Sequence, residues 1–394
     1  MKKFLYLMAA AVCATACIYP YDPELDEAPE GVLSVDATIC IGGTSTVRLG
    51  TLISMWDSGF DRREDLSDAR VWVEDDAGVE YPGTSKATGF PGYDIFIWNP
   101  LFTIPTENAP LDRRYRLRIE AFGETYGSDW NEPLSPPVIR DIGFSANDEV
   151  VTVDISMDGG ENGTGYALLS YEETWEFNAD YIPGFYQVNY DEASGLVSVV
   201  QGHPDLSHYR CWRTTTDNRT TPIDYTGRTE SGITGFPLFV FPRRDKRNQI
   251  RYCISVTASS ISKDTYRFLH NLDENTNGGD NLFTPNPGEI AGNIRCESNP
   301  ERMALGYAVF SRAARKRAFL DSRYYLPSPK ISLQYPLVEN YYNFWKSGFL
   351  PLEEHLGEYD PLEEGPYGWG ARNCYDCTAA GGTLEKPDYW NETE

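Results

Sequence analysis

The chain has 394 residues, with 34 Lys and Arg against 59 Asp and Glu, which gives a formal net charge of -25 at pH 7. Because an excess of acid this large repels a polyanion over the whole surface, we exclude nucleic acid as a partner. Apolar residues make up 41% of the chain and aromatic residues 13%, which is enough to build hydrophobic cores and excludes a chain that is disordered throughout.

Residues 1–16 have the organisation of an export signal. Lys2 and Lys3 form a basic start, an apolar stretch runs from Phe4 to Val12, and the small residues 14–16 precede Cys17. The apolar stretch is shorter than the ~20 residues that a transmembrane helix needs. Small residues directly before a cysteine are typical of the lipobox of bacterial lipoproteins, so we predict lipidation at Cys17. The alternative is an ordinary secretory leader that is cleaved nearby.

Residues 17–31 predict an acidic tether, because Pro20 and Pro23 interrupt a run rich in Asp and Glu. Acidic residues just behind a lipidated cysteine resemble the surface-export signal of Bacteroidetes lipoproteins, and a merely solvated linker is the alternative. The longest later apolar runs, such as Phe236–Phe241, have the length of a strand. The sequence therefore predicts a protein that its lipid alone holds to a membrane, and the resemblance to the surface-export signal implies an outer-membrane protein that faces the cell exterior.

Residues 32–132 predict an N-terminal β-sandwich domain. Apolar residues at every second position, such as Tyr115, Leu117 and Ile119, place one face of a strand on a core and the other face in water. The proline cluster at 133–137 predicts a domain boundary. We therefore expect the segment Val32–Trp130 to fold by itself.

Residues 138–326 predict a second β-rich domain, in which Val151, Val153 and Ile155 alternate with polar residues. Ser262 is placed to cap a short helix within this domain. Residues 327–394 show little periodicity but many aromatic residues, which predicts a C-terminal extension that packs on the second domain. The predicted fold class is therefore mainly β, with two consecutive immunoglobulin-like sandwiches and a loop-rich extension.

Eight cysteines occur in the chain, and six remain after Cys13 in the leader and the lipid-bearing Cys17 are set aside. An even number in an exported chain predicts structural disulfides, although the sequence does not choose among the pairings. The candidates are Cys40, Cys211, Cys253, Cys296, Cys374 and Cys377.

The pair Cys374-x-x-Cys377 also fits a redox motif or half of a zinc site. No helix start is visible that would lower a thiol pKa, and the four His residues show no metal-type spacing with the pair. We therefore favour structural bonds at both positions, with a longer-range partner for at least one of them.

Asp273, Asn275 and Asn277 match the first oxygen ligands of an EF-hand calcium loop. The twelfth position holds Thr284 where a bidentate Glu is needed, and Asp280 or Asn281 is the substitute source of an oxygen ligand. A plain loop after a helix uses the same residue types. The sequence therefore predicts no cofactor, with calcium as the open alternative.

Aromatic residues lie among acidic residues in the extension and are the candidates for ligand binding. Aromatic faces beside carboxylates suit sugars, peptides or cations, and the alternative is that these rings cover the edges of the sandwich. The candidates are Tyr341, Tyr342, Trp345, Tyr359 and Trp369.

No hydrolase signature is present, since Gly-x-Ser-x-Gly does not occur and His355 follows Glu353 and Glu354 in an order that makes no zincin helix. Acid pairs such as Asp360 and Glu363 could serve glycoside hydrolysis, but chance adjacency explains them in a chain this acidic. We therefore predict that the protein is not an enzyme.

Several separated motifs carry a family resemblance. They are Tyr252–Tyr266, Phe283–Pro287, Ile290–Ile294, Leu305–Tyr307, Lys316-Arg317, Cys374–Cys377, Gly381–Thr383 and Lys386–Trp390. In this order they resemble a Bacteroidetes outer-membrane lipoprotein family, the domain of unknown function 4249. Cys40 and the acidic stretch Glu353–Glu364 have no counterpart in that pattern.

The resemblance implies a function by context, because members look like lipoproteins that are often encoded beside TonB-dependent transporters. It implies a non-catalytic accessory to such a transporter that captures a small molecule, glycan or peptide during nutrient uptake. The alternatives are a structural or adhesive surface protein, which two sandwich domains would suit, and a hydrolase.

Lipidation at Cys17 is directly testable. Because nothing else in the sequence predicts a membrane attachment, we expect a radioactive fatty acid to label the wild-type protein and not the Cys17→Ser variant. A Cys13→Ser variant is the control and should be labelled like the wild type. Equal labelling of wild type and Cys17→Ser would contradict the prediction.

Overall fold

The structure is a computed structural model. The leader, the candidate lipidation site Cys17 and the acidic tether lie outside the residues that it describes. Among the helices of the described residues, none has the length and apolar character that a membrane span requires. The described residues are 32–51, 66–86, 99–160, 165–226, 232–277, 292–355 and 357–391.

The described part of the chain is mainly β, as the sequence predicts. Its helices are α1 (Lys263–Asn277), α2 (Tyr341–Lys346) and α3 (Arg372–Tyr375), and short 3-10 turns occur at Lys246–Asn248, Ser322–Tyr324, Val338–Asn340 and Asp388–Asn391. Its strands are β1 (Leu33–Cys40), β2 (Thr44–Thr51), β3 (Arg70–Asp75), β4 (Glu80–Pro82), β5 (Thr84–Lys86), β6 (Leu101–Pro105), β7 (Tyr115–Ala121), β8 (Glu124–Ser128), β9 (Val138–Ala146), β10 (Val150–Asp158), β11 (Tyr166–Asn178), β12 (Tyr186–Asp191), β13 (Leu196–Gln201), β14 (Arg210–Asp224), β15 (Gly232–Pro242), β16 (Arg251–Ser260), β17 (Ile294–Cys296), β18 (Ala304–Ser311), β19 (Ala313–Asp321), β20 (Leu350–Glu354) and β21 (Tyr367–Gly370).

The first sandwich consists of two five-stranded sheets that share one core. Their strand orders are β18-β1-β2-β6-β5 and β17-β8-β7-β3-β4. Tyr115, Leu117 and Ile119 are fully buried in this core, and Arg116 and Arg118 on the same strand are not. The two-residue period of the sequence therefore gives the inward face of β7 correctly.

Two strands of this sandwich come from far along the chain, and this corrects the predicted boundaries. Strand β18 pairs in parallel with β1, from Leu33 opposite Ala304 to Cys40 opposite Ser311. Strand β17 pairs with β8, and Ile294 and Phe310 belong to the first core. Residues 294–311 thus belong to the first sandwich, so the predicted domains 32–132 and 138–326 are wrong here. A parallel pair needs a long connection, which local patterns do not reveal.

The expectation that Val32–Trp130 folds by itself stays a prediction, and the strand order counts against it. Such a fragment lacks β17 and β18, so β1 and β8 would each lose a neighbouring strand. Apolar residues of β1 that are now buried, such as Leu33 and Val35, would lose part of their cover.

Gly306 makes the pairing of β18 with β1 possible. Its φ is +115°, and a Cβ at this position would lie 1.8 Å from the carbonyl oxygen of Val35. The pattern repeats at Gly292, whose Cβ would lie 1.9 Å from the carbonyl oxygen of Gly306. A side chain at Gly306 would therefore push β18 away from β1.

The second sandwich combines a three-stranded sheet, β15-β10-β9, with a four-stranded sheet, β14-β11-β16-β19. Val151, Val153 and Ile155 lie in its core together with Tyr252 and Leu320, and all five are fully buried. Strands β18 and β19 are separated by one residue, so a single run of chain passes from the first sandwich into the second.

Helix α1 begins where the sequence predicts a cap. The hydroxyl oxygen of Ser262 accepts a hydrogen bond from the backbone N–H of Thr265 at 3.0 Å. Tyr266 and Leu269 then pack against a small cluster that contains Tyr166 and Val309. The predicted cap of the helix is therefore confirmed.

The C-terminal extension packs on the second sandwich. Strands β20 and β21 form a hairpin, and the final 3-10 turn lies against the outer face of β11. Trp390 is buried there, and its indole N–H donates to the carboxylate of Glu176 at 3.0 Å. The hydroxyls of Tyr389 and Thr174 lie 2.9 Å apart beside it.

Glycine substitutions test whether the β1–β18 pairing holds the first sandwich together. We expect Gly306→Ala to lower the free energy of unfolding by about 3 kcal/mol, because the added methyl group overlaps the backbone of β1. The control is Gly78→Ala, at a turn position with φ +80° and no atom within 4 Å, where we expect a loss of about 1 kcal/mol from backbone strain alone. Urea unfolding of the three proteins measures both values. Equal losses in the two variants would contradict the predicted role of the close approach.

Candidate ligand-binding cleft

Two of the predicted ligand-binding aromatics are core residues. Trp369 is fully buried and Tyr341 is 2% exposed, with a ring-centroid distance of 4.9 Å between them. They pack with Val197 of β13, so the extension and the β12–β13 hairpin share one apolar cluster. The prediction that Tyr341 and Trp369 contact a ligand is therefore wrong, since their faces are covered by the protein itself.

The other three aromatic candidates reach the surface but do not form a single site. Tyr342 and Trp345 lie on α2, and the ring of Tyr190 is 5.6 Å from the first and 5.3 Å from the second. Tyr359 instead packs against His355 at 4.8 Å. These residues stay predictions as ligand contacts.

The predicted calcium loop overlaps a helix. Helix α1 continues to Asn277, so Asp273 and Asn275 lie in its last turns, where a loop is expected. This corrects the predicted start of the loop, because helical backbone does not turn its side chains around one ion in the EF-hand manner. Asp280 lies outside the described residues. Within the described ranges, no three His, Cys, Asp or Glu side chains gather as a metal site would require.

One disulfide joins the extension to the second sandwich. Cys211 of β14 is bonded to Cys377, at a sequence separation of 166 and with 5.7 Å between their Cα atoms. This confirms the predicted longer-range bond for one member of the Cys374-x-x-Cys377 pair. The expectation that Cys374 is also bonded is wrong, since it is a buried thiol that packs with Tyr181 and Leu352.

The remaining disulfide candidates, Cys40, Cys253 and Cys296, are also thiols. Burial raises the pKa of the Cys374 thiol, and it does the same for Cys40. Both therefore stay protonated and poorly reactive at neutral pH.

A cleft beside this disulfide was not predicted from the sequence. Its volume is about 340 Å³, and four separate parts of the chain build it. It is lined by Glu173, Trp175 and Phe177 of β11, Arg213 and Thr215 of β14, the turn residues Asp245, Lys246 and Arg247, and Ala380 of the extension.

The strand register places the first two sets of side chains opposite each other. On β11, residues 173, 175 and 177 share one face because side chains alternate along a strand. Trp175 lies opposite Arg213 in the β11–β14 ladder, and Glu173 lies opposite Thr215. One wall of the cleft is therefore set by β-sheet pairing alone.

The disulfide and its neighbours position the part that contains Ala380. Backbone hydrogen bonds of 2.8 and 2.7 Å join Trp212 and Thr383 in both directions. Trp212 directly precedes Arg213 on β14, and Thr383 lies three residues after Ala380 in the extension. A Cβ on Gly382 would lie 2.5 Å from the Cβ of Cys211, so only glycine lets the extension lie this close to β14. Ala380 is thereby held at the rim.

A buried charge network fixes the floor of the cleft. Glu173 is 8% exposed, and its carboxylate accepts hydrogen bonds from Arg247 at 3.0 Å and from the hydroxyl of Tyr252 at 2.7 Å. Through its other terminal nitrogen, Arg247 donates a hydrogen bond to the carboxylate of Asp245 at 3.0 Å. Every charge in this network therefore has a partner, which a buried charge requires.

The network also sets protonation states. Burial, together with the neighbouring Glu173, raises the pKa of Tyr252 well above its ordinary value. Burial opposes the charge of Arg247, but the hydrogen bonds that it donates to Asp245 and Glu173 keep the pKa of its guanidinium above the ordinary value. Tyr252 therefore stays a neutral donor and Arg247 stays a cation.

The two other cations of the cleft differ in their partners. Lys246 lies 2.7 Å from the carboxylate of Asp180, and its ammonium group is 5.9 Å from the ring centre of Phe177. Arg213 is exposed and lies over the ring of Trp175 at 5.6 Å. Among the described residues, no carboxylate forms an ion pair with Arg213, whose guanidinium donates instead to the carbonyl of Ala380 at 3.3 Å.

This arrangement suits binding of a small molecule. The cleft has the size at the lower end of ligand pockets and combines aromatic faces with a few polar groups of fixed orientation. A charged residue at an inward position of an otherwise apolar strand is the sequence feature that could have located this cleft. Glu173 stands between Tyr171 and Trp175 on the inward face of β11.

A second cleft, of about 370 Å³, lies at the turn between β7 and β8. Two of its acidic groups are engaged, because Glu120 pairs with Arg70 and Glu124 accepts a hydrogen bond from Ser298. It also begins at Leu66, directly after residues outside the described ranges, so we build no site there.

Comparison with protein families agrees with the motifs. The model of the family described as "Domain of unknown function (DUF4249)" matches residues 18–317, which is most of the chain. The chain therefore belongs to this family. The match ends before the extension that contributes Cys377 and Ala380. A search of curated proteins found none that matches the chain.

Breaking the disulfide tests whether it holds the extension in place. We expect Cys211→Ser/Cys377→Ser to lose about 2 to 4 kcal/mol of unfolding free energy and to be cleaved rapidly within residues 378–391, since the loop-closing bond is gone. Cys374→Ala is the control, because it removes a buried thiol without breaking a bond. Limited proteolysis with mass spectrometry reads out the cleavage sites. A double variant as resistant as the control would contradict the prediction.

Proposed function

We propose that this member of the DUF4249 family is a non-catalytic binding protein of the outer-membrane surface. Lipidated at Cys17, it captures a small molecule in the cleft beside the Cys211–Cys377 bond. It then passes the molecule to a TonB-dependent transporter, as an accessory in nutrient uptake.

The observation that carries this proposal is the pre-organised cleft. Its walls come from β11, β14, a 3-10 turn and the extension, and hydrogen bonds fix the charged groups Glu173, Arg247 and Asp245 at its floor. A site that is already ordered loses little conformational entropy when a ligand binds, so a small cleft can bind well.

The compartment in the proposal is supported by covalent chemistry. A disulfide that closes 166 residues of chain is characteristic of proteins that fold in an oxidising compartment. The leader and the small residues before Cys17 agree with export and a lipid anchor. The transporter as partner rests on the family resemblance of the motifs.

The alternative of a structural or adhesive surface protein has one observation in its favour. Tyr190, Tyr342 and Trp345 form an aromatic cluster at the surface, with the ammonium group of Lys346 5.2 Å from the ring centre of Trp345. Partly exposed aromatics beside a cation are common in protein–protein contacts. An adhesive protein would depend on this cluster and not on the cleft.

Paired variants separate the two functions. We expect protein purified from its own outer membranes to carry a small molecule that mass spectrometry detects, together with a TonB-dependent transporter. The cleft variant Trp175→Ala should lose the small molecule and keep the transporter, because the accessible aromatic face of the cleft is removed. The control Tyr342→Ala/Trp345→Ala should keep both.

The opposite result would favour adhesion. If only the Tyr342→Ala/Trp345→Ala variant changes what is bound, or if no small molecule depends on the cleft, the proposed capture function is wrong. Circular dichroism melts of both variants establish that each is folded before the comparison is made.

A further inference from the structure

We infer that the cleft takes a small organic monoanion, with a carboxylate that pairs with Arg213 and a flat apolar body that lies against Trp175. This inference rests on the proposed function, in which the cleft binds a small molecule. It adds the chemical class of that molecule.

The first argument is the distribution of charge in the cleft. Of its three cations, Arg247 is satisfied by Glu173 and Asp245, and Lys246 is satisfied by Asp180. Within the described residues, Arg213 has no carboxylate partner, although the chain carries a net charge of -25. The cleft thus holds one guanidinium whose fork of donors is available to an anion.

The second argument is that Arg213 is held in place before any ligand arrives. Its guanidinium lies over the ring of Trp175 and donates to the carbonyl of Ala380. On the other side is Gly381, where a Cβ would lie 3.3 Å from the nearest guanidinium nitrogen. Packing between a strand residue and the extension restricts the side chain, which lowers the entropy cost of forming a bidentate pair.

The third argument limits the charge of the ligand. The carboxylates of Glu173 and Asp245 line the same cleft, and a second negative charge on the ligand would face them. One unpaired cation therefore matches one anionic group, which favours a monocarboxylate over a phosphate or a dicarboxylate. A cationic ligand is disfavoured, because both cleft carboxylates already pair with Arg247.

The fourth argument concerns the body of the ligand. Trp175, Phe177 and Ala380 are the apolar groups of the lining, and of the two rings only Trp175 is half-buried, since Phe177 is 3% exposed. A ring or a flat apolar group would bury most area against the face of Trp175. Charge and shape together give an aromatic or cyclic carboxylic acid as the ligand class.

A matched pair of probes tests the charge requirement. Indole-3-acetate and indole-3-acetamide have the same ring and nearly the same shape, but only the first is an anion. With the full mature protein in isothermal titration calorimetry, we expect the acetate to bind at least about tenfold more tightly than the amide, because only the acetate can form charge-assisted hydrogen bonds with Arg213.

Arginine variants on one strand test the assignment to Arg213. The Arg213→Gln variant should bind the two probes equally, within about twofold. The control is Arg210→Gln, which removes the same charge three residues away, where the guanidinium pairs with Glu176 at 3.4 Å. It should keep the preference for the acetate. Should Arg213→Gln fail to fold, Arg213→Lys replaces it and should show a reduced preference, since lysine keeps the charge but loses the fork of donors.

Each of the other outcomes overturns one named part of the inference or of the proposed function. Equal binding of both probes to the wild type, or binding of neither, overturns the organic-anion inference. The proposed capture function is then judged separately by the small molecule that co-purifies. An acetate preference that survives in Arg213→Gln overturns the role of Arg213. If the wild-type protein co-purifies with no small molecule, the proposed capture function is wrong, and the inferred ligand class is judged by the two probes alone.

Discussion

The run of chain from Ala304 to Asp321 is the constraint on which the rest of the structure depends. Its first strand pairs in parallel with β1 and completes a sheet of the first sandwich, and its second strand pairs with β16 in the other sandwich. One residue, Arg312, separates the two strands. The two cores are therefore joined by continuous backbone, and the parallel pairing requires the close approach that Gly306 allows.

A disulfide attaches the C-terminal extension to the second sandwich, where hydrophobic contacts are few. The extension has little regular hydrogen bonding, and its apolar contacts are divided among several small clusters. The Cys211–Cys377 bond offsets part of the entropy cost of ordering such a segment. Because this bond lies beside Arg213 and Ala380, the same device that fixes the extension also shapes one side of the cleft.

The cleft shows how a charged group can lie at an inward strand position. Glu173 occupies a place where an apolar side chain would be usual, and two hydrogen bonds from Arg247 and Tyr252 compensate its burial. Removing one partner would leave a buried charge unpaired, which costs far more than the pair itself contributes. The network therefore orders the 3-10 turn against β11 and leaves Arg213 as the cation that is open to a ligand.

The sequence by itself determined the features that depend on local pattern. The two-residue period identifies the inward residues of β7 and β10, and Ser262 marks the start of α1, because side-chain alternation and helix capping act within a few residues. Only the tertiary structure decided which distant segments meet. The parallel partner of β1, the choice of Cys211 as the partner of Cys377, and the burial of Trp369 all join residues far apart in the chain. Such contacts are selected by the packing of whole sheets and by the closure of long loops, and neither leaves a pattern in a short stretch of sequence.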